Sequence, residues 1–216
     1  MTLRYTDPVS WEDHVLYLYL LAKLHEIEQP INKIQEQKLY FLTQFLAMQD
    51  GGILSRAPFQ RWQYGPGTPH LYDLEREFEE LGMIQVQSKR YISMEQAVIT
   101  LTRAGLDMFD EISELFDAAP VARKYFDKIV SVVGKEKGWD LRLISYDLQV
   151  GGVKIRDLPL KAPIPTMPAV VLWKWSIPAE WQYTVEFLLG KGNLEHLKRI
   201  SSENAAAPMT PWVPLK

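Results

Sequence analysis

The segment from residue 58 to residue 69, PFQRWQYGPGTP, constrains the fold more than any other part of the sequence, because it holds three prolines and two glycines in twelve residues. Proline fixes φ and donates no backbone hydrogen bond, whereas glycine permits turns that other residues avoid. These residues therefore predict a shaped loop rather than a regular helix or strand. We expect it to end where Thr68 caps a helix that has Pro69 at its first position.

Hydrophobic periodicity predicts helices on both sides of this loop. The centre of 11–28 is apolar on nearly all sides, which is typical of a buried helix, and 32–48 carries an apolar stripe that includes Lys38. Residues 69–81 show the clearest amphipathic pattern of the chain. They end at Gly82, which suits a left-handed helix cap.

The pattern after this helix changes twice. Apolar and β-branched residues between Ile84 and Thr102 predict a β-hairpin, and Thr102 can cap the first of two further helices that end by Gly134. After that point the periodicity weakens. Residues 141–150 fit a short helix or a strand, with Leu141, Ile144 and Leu148 on one face of the helical alternative. Residues 159–178 hold five prolines and are expected to be extended.

These patterns predict a mainly α protein with two parts. Residues 1–134 would form a helical core with a small β-hairpin, similar to a winged helix, and residues 135–216 an irregular, proline-rich C-terminal extension. Three tryptophans and one lysine cluster in the extension, at Trp173, Lys174, Trp175 and Trp181. They would either anchor the extension on the core or form an exposed partner surface.

Composition excludes several classes of function. There is no cysteine, the four histidines lack metal-ligand spacing, and no nucleophile, zinc or phosphate-binding motif occurs. We therefore predict no catalytic residue, no metal and no cofactor. The most apolar stretch is too short to cross a bilayer and follows acidic residues, so we expect a cytoplasmic protein without a membrane partner.

The order helix, loop, helix, hairpin is typical of a winged helix, a fold that often reads DNA with the helix before the hairpin. DNA phosphates attract Lys and Arg, but this helix has one arginine and five carboxylates, Asp73, Glu75, Glu77, Glu79 and Glu80. All five are expected on its outer surface. DNA binding is therefore disfavoured and stays as the alternative function, a transcription regulator. The net charge of −3 agrees with this preference.

Two short motifs resemble a known family. The run Gln37 to Leu42, QKLYFL, and the segment Trp62 to Pro66, WQYGP, followed by Pro69 and Tyr72, are similar to the Panacea antitoxin domain of SocA-like proteins. The resemblance covers about residues 12–134. It implies a mainly helical module that neutralises a cognate toxin by direct contact or presents a partner as an adaptor. Gly67 stands where the family prefers a β-branched residue.

The predicted partner-binding residues are those that carry the resemblance: Trp62, Tyr64, Gly65, Pro66, Pro69, Tyr72 and Lys38. The aromatic rings would either pin the loop or contact the partner, and Tyr64 is the best candidate for contact. The stem of Lys38 would carry its ammonium to water, or the ammonium would pair with a carboxylate. The resulting hypothesis is an antitoxin that binds its toxin directly. Its self-association is left open.

Overall fold

A computed structural model describes residues 11–50, 52–55, 57–91, 94–117, 120–164 and 170–171. Within these residues the protein is mostly helical with small β-sheets, as predicted. The helices are α1 (Trp11–Glu26), α2 (Lys33–Gln49), α3 (His70–Glu80), α4 (Arg103–Asp117), α5 (Pro120–Val133) and α6 (Gly138–Asp147).

Helices α1 and α2 form the centre of the core. Because α1 is apolar on nearly all sides, it is buried along almost its whole length, with Leu16 and Tyr17 fully covered. Asn32 caps α2 with a capping box. Its side-chain oxygen accepts a hydrogen bond from the backbone amide of Gln35, and the side-chain oxygen of Gln35 accepts one from the backbone amide of Asn32. The predicted buried helix is confirmed.

The predicted hairpin is also confirmed. Strands β5 (Ile84–Tyr91) and β6 (Met94–Leu101) pair antiparallel, and β1 (Ile31–Asn32) adds a third strand beside β6 that the sequence did not predict. Gly82 ends α3 with φ of 70°, as expected for a left-handed cap. Thr102 accepts a hydrogen bond from the amide of Gly105 at 3.2 Å at the start of α4.

The predicted loop at 58–69 has regular structure, which corrects the prediction. Strands β3 (Gln60–Trp62) and β4 (Gly65–Gly67) form a short antiparallel hairpin. Residues 161–164 run along the other side of β3, where Lys161 donates to the carbonyl of Arg61 at 2.7 Å. The prolines and glycines hid this arrangement because they suppress the alternating pattern of a strand.

The first part of the predicted extension packs on the helical core. Helix α6 lies against α2 and β4, so the helical alternative for 141–150 is correct over its first part. The hairpin of β7 (Gln149–Val150) and β8 (Val153–Lys154) follows, then a 3₁₀ turn at Ile155–Asp157.

The end of the chain adds one further described element. Strand β9 (Val170–Val171) pairs parallel with β2 (Gly52–Ile53). The rest of the predicted extension, including the tryptophan cluster at 173–181, lies outside the described residues.

Candidate functional site

Two polar residues of α2 hold the β3–β4 hairpin. Gln37 donates to the carbonyl of Thr68 at 3.0 Å and accepts from the Thr68 amide at 2.8 Å. Lys38 donates to the carbonyl of Pro66 at 2.5 Å. Both side chains are buried, and their bonds satisfy backbone groups that burial would leave without partners. The hairpin is therefore fixed to α2 by side chain–backbone hydrogen bonds.

Both expectations for Lys38 were wrong. Its side chain is only 2% exposed, so it does not reach water, and its partner is a carbonyl rather than a carboxylate. Among the described residues no carboxylate lies at ion-pair distance from its ammonium. Burial lowers the pKa of Lys38 to about 7, and the positive charge of Arg142 acts in the same direction.

The two glycines of β4 make room for these neighbours. Gly65 has φ of 98°, and a Cβ there would lie 3.1 Å from Cε of Lys38. A Cβ on Gly67 would lie 2.7 Å from the ring of Trp62, closer than such contacts occur. A side chain at position 67 is therefore excluded on steric grounds unless the indole of Trp62, which covers this position, moves.

Four exposed or half-buried aromatic side chains, one buried ring and one arginine make up a group that we call the aromatic strip. The four are Tyr72, Trp62, Tyr64 and Trp139, the buried ring is Tyr146, and the arginine is Arg142. At one end the rings of Trp62 and Tyr72 stack with centroids 5.6 Å apart and planes 13° apart. The ammonium of Lys33 lies 5.6 Å from the Tyr72 ring. This end joins β3 to the first turn of α3.

The other end of the aromatic strip is organised by Arg142 of α6. Its guanidinium lies 4.5 Å from the ring of Trp139, 5.2 Å from Tyr146 and 5.5 Å from Tyr64. The Tyr146 hydroxyl donates to the carbonyl of Gln63 at 2.6 Å. Helix α6 and the β3–β4 turn are therefore joined by direct contacts.

The predicted site residues separate into two groups in the structure. Tyr64 and Tyr72 are exposed, at 49% and 43%, and Trp62 is half-buried. The other four support the surface from below or beside it: Lys38, Gly65 and Pro66 are buried, and Pro69 is half-buried. As partner contacts, all seven remain predictions.

Sequence reasoning missed the contribution of α6. Trp139 is 61% exposed in the aromatic strip, and Leu143, one turn later, is also exposed. The three apolar residues of the helical pattern do not all face the core, because Leu141 is buried but Ile144 is exposed, and Ser145 is buried beside Leu141. Trp139 and Leu143 are four residues apart, a spacing that places them on the same face of a helix. This spacing indicates an exposed surface only when the buried side of α6 is known.

The outer face of α3 is less acidic than its sequence indicates. Glu75 is buried and pairs with Lys33 at 2.6 Å, so the expectation of five outward carboxylates was wrong. Glu77 lies 2.7 Å from Nε2 of His14, and Asp73 pairs with Arg76 at 2.9 Å. The pairing of Glu75 with Lys33 reduces the negative charge that this helix presents.

A second polar group is buried between α1 and α2. Tyr40 donates to Asp13 at 2.7 Å, Ser55 donates to the same carboxylate oxygen, and Nδ1 of His70 lies 3.8 Å from the other oxygen. Burial alone would raise the pKa of Asp13, but these three contacts outweigh it and lower the pKa. Because Ser55 donates to the carboxylate rather than to His70, the group does not have the proton-relay order of a Ser-His-Asp triad.

Glu36 is fully buried on the side of α2 away from Lys38. Within the described residues its two carboxylate oxygens and the Tyr17 hydroxyl make no hydrogen bond of ordinary geometry. Burial raises the pKa of Glu36 to about 8. The nearby Tyr17 hydroxyl and the charge of Lys33 act against this rise, whereas the carboxylate of Glu75 adds to it. A buried carboxylate without hydrogen bonds favours its neutral form.

Comparison with known proteins gives no family and no relative: neither a family model nor a curated protein matches this chain. Over the described ranges, no helix is both long and apolar enough to cross a bilayer. In that same part of the chain, no three His, Asp or Glu side chains are grouped so that they could hold a metal ion.

Proposed function

We propose that the protein is an antitoxin that neutralises a toxin by direct binding, with the aromatic strip as the binding surface. The observation that carries the proposal is the exposure of Tyr64, Tyr72 and Trp139 on a rigidly held hairpin and helix. Tyr, Trp and Arg are the residues most enriched among those that dominate binding energy at protein interfaces. A surface held in place before binding also loses little conformational entropy when the partner arrives.

The family resemblance supports a toxin as the partner. Its motif residues Gln37 and Lys38 make the hydrogen bonds that fix the hairpin, and Gly65 leaves the space that Lys38 needs. In this proposal the motif residues build the surface, and Tyr64 and Tyr72 make the contacts. The toxin is bound and occluded, without turnover.

A winged-helix transcription regulator remains the second candidate, because one observation favours it. The order α1, β1, α2, α3, β5, β6, with β2 to β4 inserted before α3, and the three-stranded sheet β1-β6-β5 are similar to those of a winged helix. The charge of α3 opposes it, since Glu79 and Glu80 are exposed and Arg76 is engaged with Asp73. A phosphate backbone would be repelled by this surface.

Co-expression tests the antitoxin proposal. The gene next to the coding sequence is expressed under an inducible promoter, and growth is measured with and without this protein. We expect restored growth with the wild type. Tyr64→Ala and Trp139→Ala should lose this protection while the melting temperature changes little, because both side chains are mostly exposed.

The control is Val132→Ala on α5, which removes an exposed apolar side chain outside the aromatic strip. It should protect as the wild type does. Equal protection by the Tyr64 and Trp139 variants would exclude the aromatic strip as the binding surface. A shift of promoter DNA by the purified protein at physiological salt would favour the transcription regulator instead.

A further inference from the structure

Two arginines lie against the same ring at the centre of the aromatic strip. The guanidinium of Arg61, on β3, lies 5.5 Å from the centroid of Tyr146, and that of Arg142, on α6, lies 5.2 Å from it. Nε of each arginine is buried and has no hydrogen-bond partner among the described residues. Over the same residues, neither guanidinium has a carboxylate at ion-pair distance.

The surroundings do not neutralise this charge. The buried side chain of Lys38 donates to a carbonyl, which has no net charge and does not neutralise the arginines. Asp147, the carboxylate that follows Tyr146 in the chain, pairs with Arg156 and lies 3.5 Å from Lys154. A chain with a net charge of −3 thus concentrates unneutralised positive charge in the middle of its aromatic surface.

We propose that Arg61 and Arg142 form a binding site for a carboxylate, supplied by an Asp or Glu side chain of the partner polypeptide. This inference rests on the proposed function, because the site lies within the aromatic strip. Guanidinium groups match carboxylate oxygens with two parallel hydrogen bonds. The terminal Nη groups are not among the buried atoms and make no hydrogen bond within the described residues, so they are donors that the fold leaves unused. A carboxylate would offset the positive charge of the two arginines.

The remaining surface indicates which residues accompany the carboxylate. Trp139 and Leu143 are exposed beside Arg142, so apolar partner side chains on either side of the acid can be covered. A long polyanion such as RNA or DNA fits less well. It would also pass the other end of the aromatic strip, where Tyr72 belongs to a helix that exposes Glu79 and Glu80.

Peptide titration followed by NMR tests the site. The probe is a pentapeptide of alternating leucine and glutamate, compared with its glutamine counterpart and with a short oligothymidylate. We expect the Nε–Hε signals of Arg61 and Arg142 to shift with the glutamate peptide, and its affinity to fall as salt is added. The glutamine peptide should bind at least about tenfold more weakly, since charged partners make the stronger hydrogen bonds.

The variants Arg61→Gln and Arg142→Gln should each weaken the glutamate peptide about tenfold. Arg142→Lys keeps the charge without the paired donors and should fall between wild type and Arg142→Gln, which separates recognition from a loss of folding. Arg103→Gln on α4 removes an exposed cation elsewhere and should bind as the wild type does.

Three outcomes would overturn the site: equal binding of the two peptides, tighter binding of the oligothymidylate, or no shift with any probe at millimolar concentration. These outcomes are separate from failure of the antitoxin proposal. If Tyr64→Ala abolishes toxin protection while Arg61→Gln and Arg142→Gln retain it, the aromatic strip binds the toxin without a carboxylate contact.

Discussion

Two buried ionisable residues lie on opposite sides of α2, and only one of them makes a hydrogen bond to another element. Lys38 donates to the carbonyl of Pro66 and so connects α2 to the β3–β4 hairpin. Glu36, two residues earlier, has no hydrogen bond to either carboxylate oxygen within the described part of the chain. Burial raises the pKa of Glu36 and lowers the pKa of Lys38, so it favours the uncharged form of both side chains. Only Lys38, however, holds another element in position. The contact that a buried group makes, rather than its burial, determines what it contributes.

The largest predicted effect is that of Lys38→Ala. The substitution removes a fully buried stem and leaves the Pro66 carbonyl without its partner, so we expect a loss of about 4 kcal/mol in the free energy of unfolding. Urea denaturation measures it. Lys38→Met, which keeps most of the volume, should lose about half as much. A Lys38→Ala protein as stable as the wild type would show that the hydrogen bond does not hold the hairpin.

The substitution Gly67→Val tests the contact between α2 and the hairpin by changing the hairpin instead of the helix. Its Cβ would lie 2.7 Å from the Trp62 ring, so the indole must move and its stacking on Tyr72 is lost. We expect a loss of about 3 kcal/mol in the free energy of unfolding, measured by thermal or urea unfolding. Gly82→Ala is the control, because a Cβ there meets no atom and its φ of 70° alone costs about 1 kcal/mol.

The substitution Glu36→Gln, on the other side of α2, should increase the free energy of unfolding instead of decreasing it. At pH 8 and above the wild type must bury a carboxylate without hydrogen bonds, so the neutral amide should raise the free energy of unfolding by about 2 kcal/mol. At pH 5 Glu36 is protonated in the folded protein, and the gain should vanish. A gain that is equal at both pH values would indicate an effect other than charge.

The pH dependence of wild-type stability gives the smallest effect, because the two groups oppose each other. The folded pKa of Glu36 is raised from 4.5 to about 8, so stability is lost as pH rises through this window. The folded pKa of Lys38 is lowered from 10.5 to about 7, so stability is lost as pH falls through that window. Between pH 7 and pH 8 the two slopes should nearly cancel, within about 1 kcal/mol.

Each single variant separates these slopes. Glu36→Gln should leave stability rising from pH 7 upward, and Lys38→Met should leave it falling toward pH 8. Denaturation curves at several pH values measure both. Unchanged slopes in both variants would mean that neither residue controls the pH dependence.

The elements that sequence predicted well are those specified by neighbouring residues. The apolar centre of α1, the alternation around Ile84 and the caps at Gly82 and Thr102 are local signals, and each prediction was confirmed. Helix periodicity and caps depend on residues within one or two turns, so they can be read without knowing the rest of the fold.

The candidate site depends on contacts between distant residues, and it was predicted only in part. The resemblance pointed to the residues of the hairpin, but the strands β3 and β4 are held by Gln37 and Lys38 about thirty residues earlier. Arg142 and Tyr146 come from a helix whose exposed face cannot be assigned until its packing on α2 is known. Lys38 within an apolar stripe was a visible signal, although its partner was not.

The hairpin that carries Trp62 has no free backbone edge. Residues 161–164 bond along the outer side of β3, and on the other strand Gln37 and Lys38 occupy the polar groups of Pro66 and Thr68. A partner therefore cannot extend this sheet by adding a strand of its own, a common route to promiscuous pairing. Selectivity at this surface has to come from ring shape and charge, which point substitutions can redesign one residue at a time.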